Sequence, residues 1–355
     1  MVDLFEGYIG NRAVTTLLTA EATHPSHAYL FVGPGSVGKA TAARHFAAAL
    51  LCDDDDVSCR RRVIGAVHPD LVLIEPEGRA SITVDQARQA VSQASLAPME
   101  GHRKLFLFEE GGMMNDEAAN ALLKTLEEPS ESTIFIVVTE SESDLPETIA
   151  SRCRTVVFGR VEDDTLRAGL EDIGIKPDQA EQAARISGGR PGLALSLATR
   201  PEVAEYRRVW LSVPLRLPEH PGDAFVLADE VMAASEPLLA ALRDRQKREA
   251  ADAEGHGGGG RALKDRHERE LRRASSALYV SGLEIRAGFY RDAAAAQFGA
   301  AARNSDIPAS ALTKVRPAAA AANIERIMTA IESLQANQRP ALAFAALFAD
   351  LGAAA

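Results

Sequence analysis

The sequence predicts an α/β fold on a parallel sheet, continued by helices to the C-terminus. Three observations predict it. Short apolar runs alternate with helical stretches up to about residue 158, the pattern of a sheet covered on both faces. Beyond Pro201 the pattern stays helical. Aromatics make up only 5% while Ala is frequent, and Ala is the strongest helix former.

The elements follow in order. Ala28–Val32 is a short apolar run, read as a buried strand, and Lys39–Leu51 is an Ala-rich helix. Leu71–Ile74 is a second strand, stopped by Glu75-Pro76-Glu77-Gly78. Residues 84–97 are expected to be helical, with Thr83 or Ser81 as N-cap. The apolar runs at 105–108 and 134–138 are expected to complete the sheet. Between them, residues 116–128 read as a helix. Asn115 can cap it, Asp116 and Glu117 suit its positive end, and Pro129 follows it. Leu122, Leu123 and Leu126 form an apolar stripe facing the core. Residues 159–200 read as a small helical unit punctuated by Ser187-Gly188-Gly189-Arg190-Pro191-Gly192. The Gly-rich residues 255–260 read as a flexible link between charged helices. Residues 243–249 and 264–273 alternate in charge sign, as a solvated or partner-facing helix surface does.

A chain of 355 residues has room for two or three domains, and 46% hydrophobic with 25% charged residues is the balance of a globular protein. The formal net charge of −11 argues against strong DNA binding by this chain alone. It leaves room for a local basic face or for other subunits that supply positive charge. Cys52, Cys59 and Cys153 do not make a disulfide framework in a chain of this length. The N-terminus lacks a basic-then-apolar signal pattern, and no apolar stretch reaches membrane-spanning length. A cytoplasmic location, with no membrane partner, is the expectation.

The chemistry begins at Gly33-Pro34-Gly35-Ser36-Val37-Gly38-Lys39-Ala40, which follows a strand and opens a helix. That context is what a phosphate-binding loop requires. Glycines let backbone N–H groups turn inward, the helix N-terminus adds partial positive charge, and Lys39 reaches phosphate oxygens. The plainer alternative is a Gly-rich turn with no ligand. The loop of an active enzyme ends in Ser or Thr, whose hydroxyl holds Mg²⁺. Here that position is Ala40. Thr41 is one residue on, rotated by about 100° around the helix, and is expected to point elsewhere. Glu109-Glu110 follow the apolar run 105–108, a strand end where acids also occur for no catalytic reason.

The phosphate loop, Glu109-Glu110, the run Ala118-Ala119-Asn120-Ala121-Leu122-Leu123-Lys124-Thr125-Leu126-Glu127-Glu128-Pro129, and Ser151-Arg152-Cys153 come in one order. In these residues the chain resembles the AAA+ (P-loop) ATPase subunits of sliding-clamp loaders, over nearly its whole length. The resemblance implies an AAA+ core at 1–158, a small helical lid at 159–201 and an all-α collar at 202–355. It implies nucleotide contacts at Gly33, Pro34, Gly35, Gly38 and Lys39, a γ-phosphate sensor at Thr139 and a lid residue at Arg190. Glu110 matches the acid that polarises the attacking water. Glu109 stands where active relatives carry Asp, so its extra methylene falls where metal geometry is tight. Arg152 matches an arginine finger that enters the ATP site of a neighbouring subunit, where a guanidinium stabilises the transferring phosphoryl group. The competing reading is a structural ion pair of Arg152 or Arg154 with Glu140 or Glu142.

Other positions depart from the family or match it weakly. Asn11 stands where Gln is usual. Similar chains carry a four-cysteine zinc site before a His-Pro-Asp; here His68-Pro69-Asp70 is present with only Cys52 and Cys59, so zinc is not expected. Cys153 is expected to be a buried packing residue. Tyr290-Arg291-Asp292 and Asn337-Gln338-Arg339-Pro340-Ala341-Leu342 sit where similar chains carry them. Residues 318–334 and 341–351 have the apolar face that collar packing needs. The resemblance implies partners in a hetero-pentameric ring, namely ATPase subunits and delta. Through that ring it implies the sliding clamp and primer-template DNA.

Two functions remain in view. Ala40 and Glu109 predict a weak or non-hydrolysing subunit that holds ATP or ADP, if any cofactor, and gives Arg152 in trans. The alternative, supported by Gly33, Gly38, Lys39 and Glu110, is an active motor subunit of the same ring, which would be expected to keep Ser or Thr at position 40. An unrelated P-loop kinase would not explain Ser151-Arg152-Cys153.

Overall fold

Five parallel strands carry the first half of the chain: β1 Ala28–Val32, β2 Leu71–Ile74, β3 Lys104–Phe108, β4 Thr133–Thr139 and β5 Arg154–Val157. Their order is β2-β3-β4-β1-β5. In this computed structural model all residues are described except 1–3, 54, 77–80, 218–219, 256–259, 305, 337 and 354–355. The central strands β1, β3 and β4 are buried along their whole length, as both-face coverage demands. Alternate residues feed two cores. Tyr29, Phe31, Leu105, Leu107, Ile136 and Val138 pack on one face, and Leu30, Phe106, Phe108, Phe135 and Val137 on the other.

The helices of this region are α1 Arg12–Glu21, α2 Lys39–Leu51, α3 Val57–Ile64, α4 Val84–Ala94, α5 Asp116–Glu127, α6 Glu147–Ala150, α7 Asp163–Asp172, α8 Pro177–Ser187 and α9 Pro191–Thr199. Thr83 closes a capping box with Gln86 at the start of α4, and the Asn115 carboxamide accepts from Ala118 N at 2.8 Å at the start of α5. The helix expected at 84–97 ends three residues early, at Ala94.

The sequence expectation does not include α1, α3, α6 or β5. β5 is a fifth strand beyond the expected last one, four residues long with only Val156 buried. The charged stretch that holds Arg60-Arg61-Arg62 forms α3, capped by Asp56, whose carboxylate accepts from Cys59 N at 2.8 Å.

The cysteines also need a correction. Cys52 and Cys59 form a disulfide, with Cα atoms 5.7 Å apart, tying the end of α2 to α3. Their thiolates are therefore not metal ligands, and His68 is buried beside Glu100 instead. Cys153 is half-buried against the core face that holds α5, and burial pushes its thiol up to about 12.

His68-Pro69-Asp70 has a structural role. The fully buried Asp70 carboxylate accepts from Met99 N (2.6 Å), Glu100 N (2.8 Å) and Gly101 N (3.0 Å). Burial alone would raise its pKa, but those N–H groups, with His68 nearby, hold it below the ordinary value. Asp70→Ala is expected to cost about 3 kcal/mol, because three donors lose a charged acceptor. The folded pKa lies below the unfolded one, so this stability is complete above about pH 4. It is lost as pH falls through the folded value. Thermal unfolding between pH 5 and pH 2 checks this: the wild type should lose more stability on acidification than Asp70→Asn.

The chain divides into compact units Met1–Leu195 and Ser196–Ala355. The second is helical: α10 Pro201–Ser212, α11 Pro221–Ala233, α12 Glu236–Gly255, α13 Gly260–Ala296, α14 Ala309–Leu312, α15 Pro317–Gln335 and α16 Pro340–Ala353. The link read at 255–260 falls largely on residues 256–259, outside the described residues, as does Asn337. Trp210 is the hub of this unit. It lies edge-on to Phe344, which also meets Tyr279 edge-on. Arg207 anchors α10 to the segment after α13 through Asp306 and Asn304, and Asn304 bonds Asp292 of α13.

Candidate nucleotide site and arginine loop

The phosphate loop runs from the end of β1 into α2. Gly33 (φ 147°) and Gly38 (φ 97°) adopt backbone that other residues avoid. A Cβ on Gly33 would lie 2.2 Å from the Phe158 carbonyl oxygen, and one on Gly38 would lie 2.8 Å from the Tyr8 hydroxyl. Asn11 braces the loop from outside. Its amide donates to Val37 O at 3.2 Å and its carbonyl accepts from Gly159 N at 3.2 Å.

Lys39 is buried within the loop, with Nζ donating to Gly33 O at 2.5 Å and Pro34 O at 2.6 Å. Burial lowers its pKa, and Glu140 and Asp144 act against that. A cavity of about 400 Å³ opens beside it, the size of a small-ligand site. Gly38, Lys39 and Ala40 form one wall, with Tyr8 and Ile9 on another. Burial pushes the Tyr8 phenol up to about 12. Pro191, Gly192 and Leu195, at and after the start of α9, complete the lining. Thr41, expected to point away, lines the same cavity, because the cavity wraps around the first turn of α2.

Glu109, at the end of β3, also lines the cavity, but its carboxylate is already engaged. Arg44 Nε donates to one oxygen at 2.6 Å and Arg44 Nη2 to the other at 3.0 Å. The pair raises the Arg44 pKa, chiefly through that hydrogen bond. Arg44 carries no motif signal in the sequence beyond being the sole Arg in an otherwise Ala-rich helix. Magnesium does not fit what is left. Ala40 has no side-chain oxygen, Glu109 is held by a cation, and no cluster of three potential metal-ligating residues exists among the described residues.

The remaining expected residues lie apart from the cavity lining. Glu110 is exposed and heads the turn Gly111–Met113. Thr139 is buried, its hydroxyl donating to Asp144 at 2.7 Å; Asp144 also accepts from Ser141 N at 2.7 Å. Arg190 sits in the turn between α8 and α9, where Gly188 and Gly189 take positive φ. Gly33, Pro34 and Gly35 shape the loop without facing the cavity.

Arg152 follows α6 and does not line the cavity of its own chain. Its Nε and Nη2 donate to Glu127 of α5, at 3.1 and 2.5 Å, and Nη1 donates to Thr148 O at 2.7 Å. The side chain is one-third exposed, with the guanidinium held in place at the end of α5. The ion pairs foreseen with Glu140 or Glu142 do not form: Arg152 takes Glu127, and Arg154 takes Glu21 at 2.7 Å.

Residues 11–162 match the family described as DNA polymerase III, delta subunit. The chain is 33% identical over 206 residues to DNA polymerase III subunit delta' of Bacillus subtilis, covering 56% of this chain and 62% of that one. It is 39% identical over 155 residues to the delta' subunit of Pseudomonas aeruginosa, covering 41% and 47%. The matches thus span about half to three-fifths of those relatives. A DNA polymerase III gamma subunit-related protein of Thermotoga maritima shares the fold, with TM-score 0.50 at 16% identity over 96% of this chain and 98% of that one. Over residues 11–162, then, this chain is similar to the delta and delta-prime subunits of bacterial DNA polymerase III, in the region that holds its phosphate loop and Ser151-Arg152-Cys153.

Proposed function

We propose that this chain is a delta-prime-like clamp-loader subunit that binds ATP or ADP, hydrolyses it weakly or not at all, and lends Arg152 to a neighbour's ATP site. In this reading residues 1–158 are the nucleotide domain, 159–201 the lid and 202–355 the collar. The partners are ATPase subunits and delta in a five-membered ring that loads a sliding clamp onto primed DNA. The observation that carries the reading is a kept cradle without a metal site. Lys39 sits in an intact loop, while Ala40 offers no oxygen and Glu109 is closed by Arg44. Phosphoryl transfer depends on the metal for charge neutralisation, so its loss is hard to compensate. Arg152 supports the trans role, because it is presented on the surface away from its own cavity.

The test is ATP turnover by the purified chain with Mg²⁺ and primed DNA, beside a nucleotide-binding titration. Binding without turnover is expected, and Lys39→Ala should weaken that binding by about tenfold or more. Turnover by the wild type that Lys39→Ala abolishes would instead make this an active motor subunit.

A further inference from the structure

Glu109 is the only acid among the described residues lining the cavity. Both its oxygens accept from Arg44, whose third donor, Nη1, reaches Ile64 O of α3 at 3.3 Å. Glu75, after β2, adds a second negative charge near the same guanidinium. We propose that Arg44 makes this pocket take its nucleoside phosphate without a divalent metal. The inference rests on the nucleotide-site reading above and names the form of ligand that site prefers.

Magnesium binds through oxygen ligands in near-octahedral geometry and is usually held by a carboxylate or two in addition to the substrate phosphates. Ala40 supplies no oxygen, and the Thr41 hydroxyl is neutral. To recruit Glu109, an ion would have to break a two-point, charge-assisted pair, the strongest class of side-chain hydrogen bond. Arg44 therefore does for Glu109 what the metal does elsewhere: it cancels the charge that would otherwise face the polyphosphate. Lys39 and the N-terminus of α2 remain to meet the phosphates. Without Arg44, Glu109 would repel the ligand until a free cation screened it. Arg44 acts through Glu109 and is a positioning residue that sets metal dependence.

Calorimetric titration of ADP and of ATP into the full chain, once in EDTA and once in Mg²⁺, tests this. The wild type should bind with affinities within about twofold of each other in the two buffers. Arg44→Ala should lose about tenfold or more in EDTA and regain it in Mg²⁺, while Arg44→Lys stays metal-independent. Wild-type binding that Mg²⁺ tightens by about tenfold or more overturns the inference and leaves the nucleotide site standing. Equal binding by Arg44→Ala in both buffers also overturns it. Absence of binding in either buffer removes the nucleotide-site reading itself, and this inference with it. If Arg44→Ala fails a circular-dichroism check of folding, the wild type and Arg44→Lys decide the question.

Discussion

On the trans role proposed for it, Arg152→Ala is expected to lower turnover at a neighbouring subunit's ATP site by about 10³-fold, the scale of an arginine finger. The rate should be read in a ring whose other ATP sites are silenced at their own phosphate-loop lysines, because active sites elsewhere would mask the loss. Folding and assembly should be preserved. The pair that Arg152 makes with Glu127 lies at the surface, one-third to one-half exposed, and surface pairs contribute about 1 kcal/mol or less. Arg152→Lys should rescue little, since an ammonium cannot present the planar fork. Glu127→Ala should act in the same direction but weakly, because it frees the guanidinium rather than removing it. Unchanged turnover in a ring shown to contain Arg152→Ala would end the trans assignment.

The second large effect is on stability. Gly282 lies within the long helix α13, where glycine is ordinarily a weakness. Here it makes room for the indole: a Cβ would stand 2.0 Å from Trp210 Cε2 and 2.4 Å from Cζ2 and Nε1. Two terms oppose each other in Gly282→Ala. Helix propensity gains about 1 kcal/mol, while overpacking costs about 1–3 kcal/mol. The indole is fully buried and packed against Phe344, so it cannot swing aside. With a Cβ 2.0 Å from the indole the overpacking cost lies at the upper end of that range, so the net destabilisation should be about 2 kcal/mol. Trp210 is the only tryptophan in the chain, so its fluorescence reports this unit directly. A lower denaturant midpoint for Gly282→Ala is the expected result; a higher one would mean that the indole does not bear on this helix face.

Much of the molecule is legible from local patterns. β1 and α2 lie where the apolar run and the Ala-rich stretch place them. Thr83 and Asn115 cap the helices their side chains suit. The glycines of the phosphate loop mark positions that a Cβ would disturb. The misses are equally physical. β5 is exposed at three of its four residues and becomes a strand through pairing with β1. The ends of α3 were obscured by a charged stretch whose N-cap, Asp56, is one of four consecutive acids.

The sequence by itself determined the parallel α/β core, the helical C-terminal region, the phosphate loop and the missing hydroxyl at Ala40. Each depends on residue type and spacing within a short window, where periodicity, capping and backbone sterics act. Only the tertiary structure decided that Arg44 holds Glu109 across 65 positions, that Glu127 holds Arg152, and that Cys52 bonds Cys59. It also decided that Gly282 exists for Trp210. Such contacts depend on which surfaces the packed sheet and helices bring together. A charged side chain with several candidate partners carries no local signal of the one it meets.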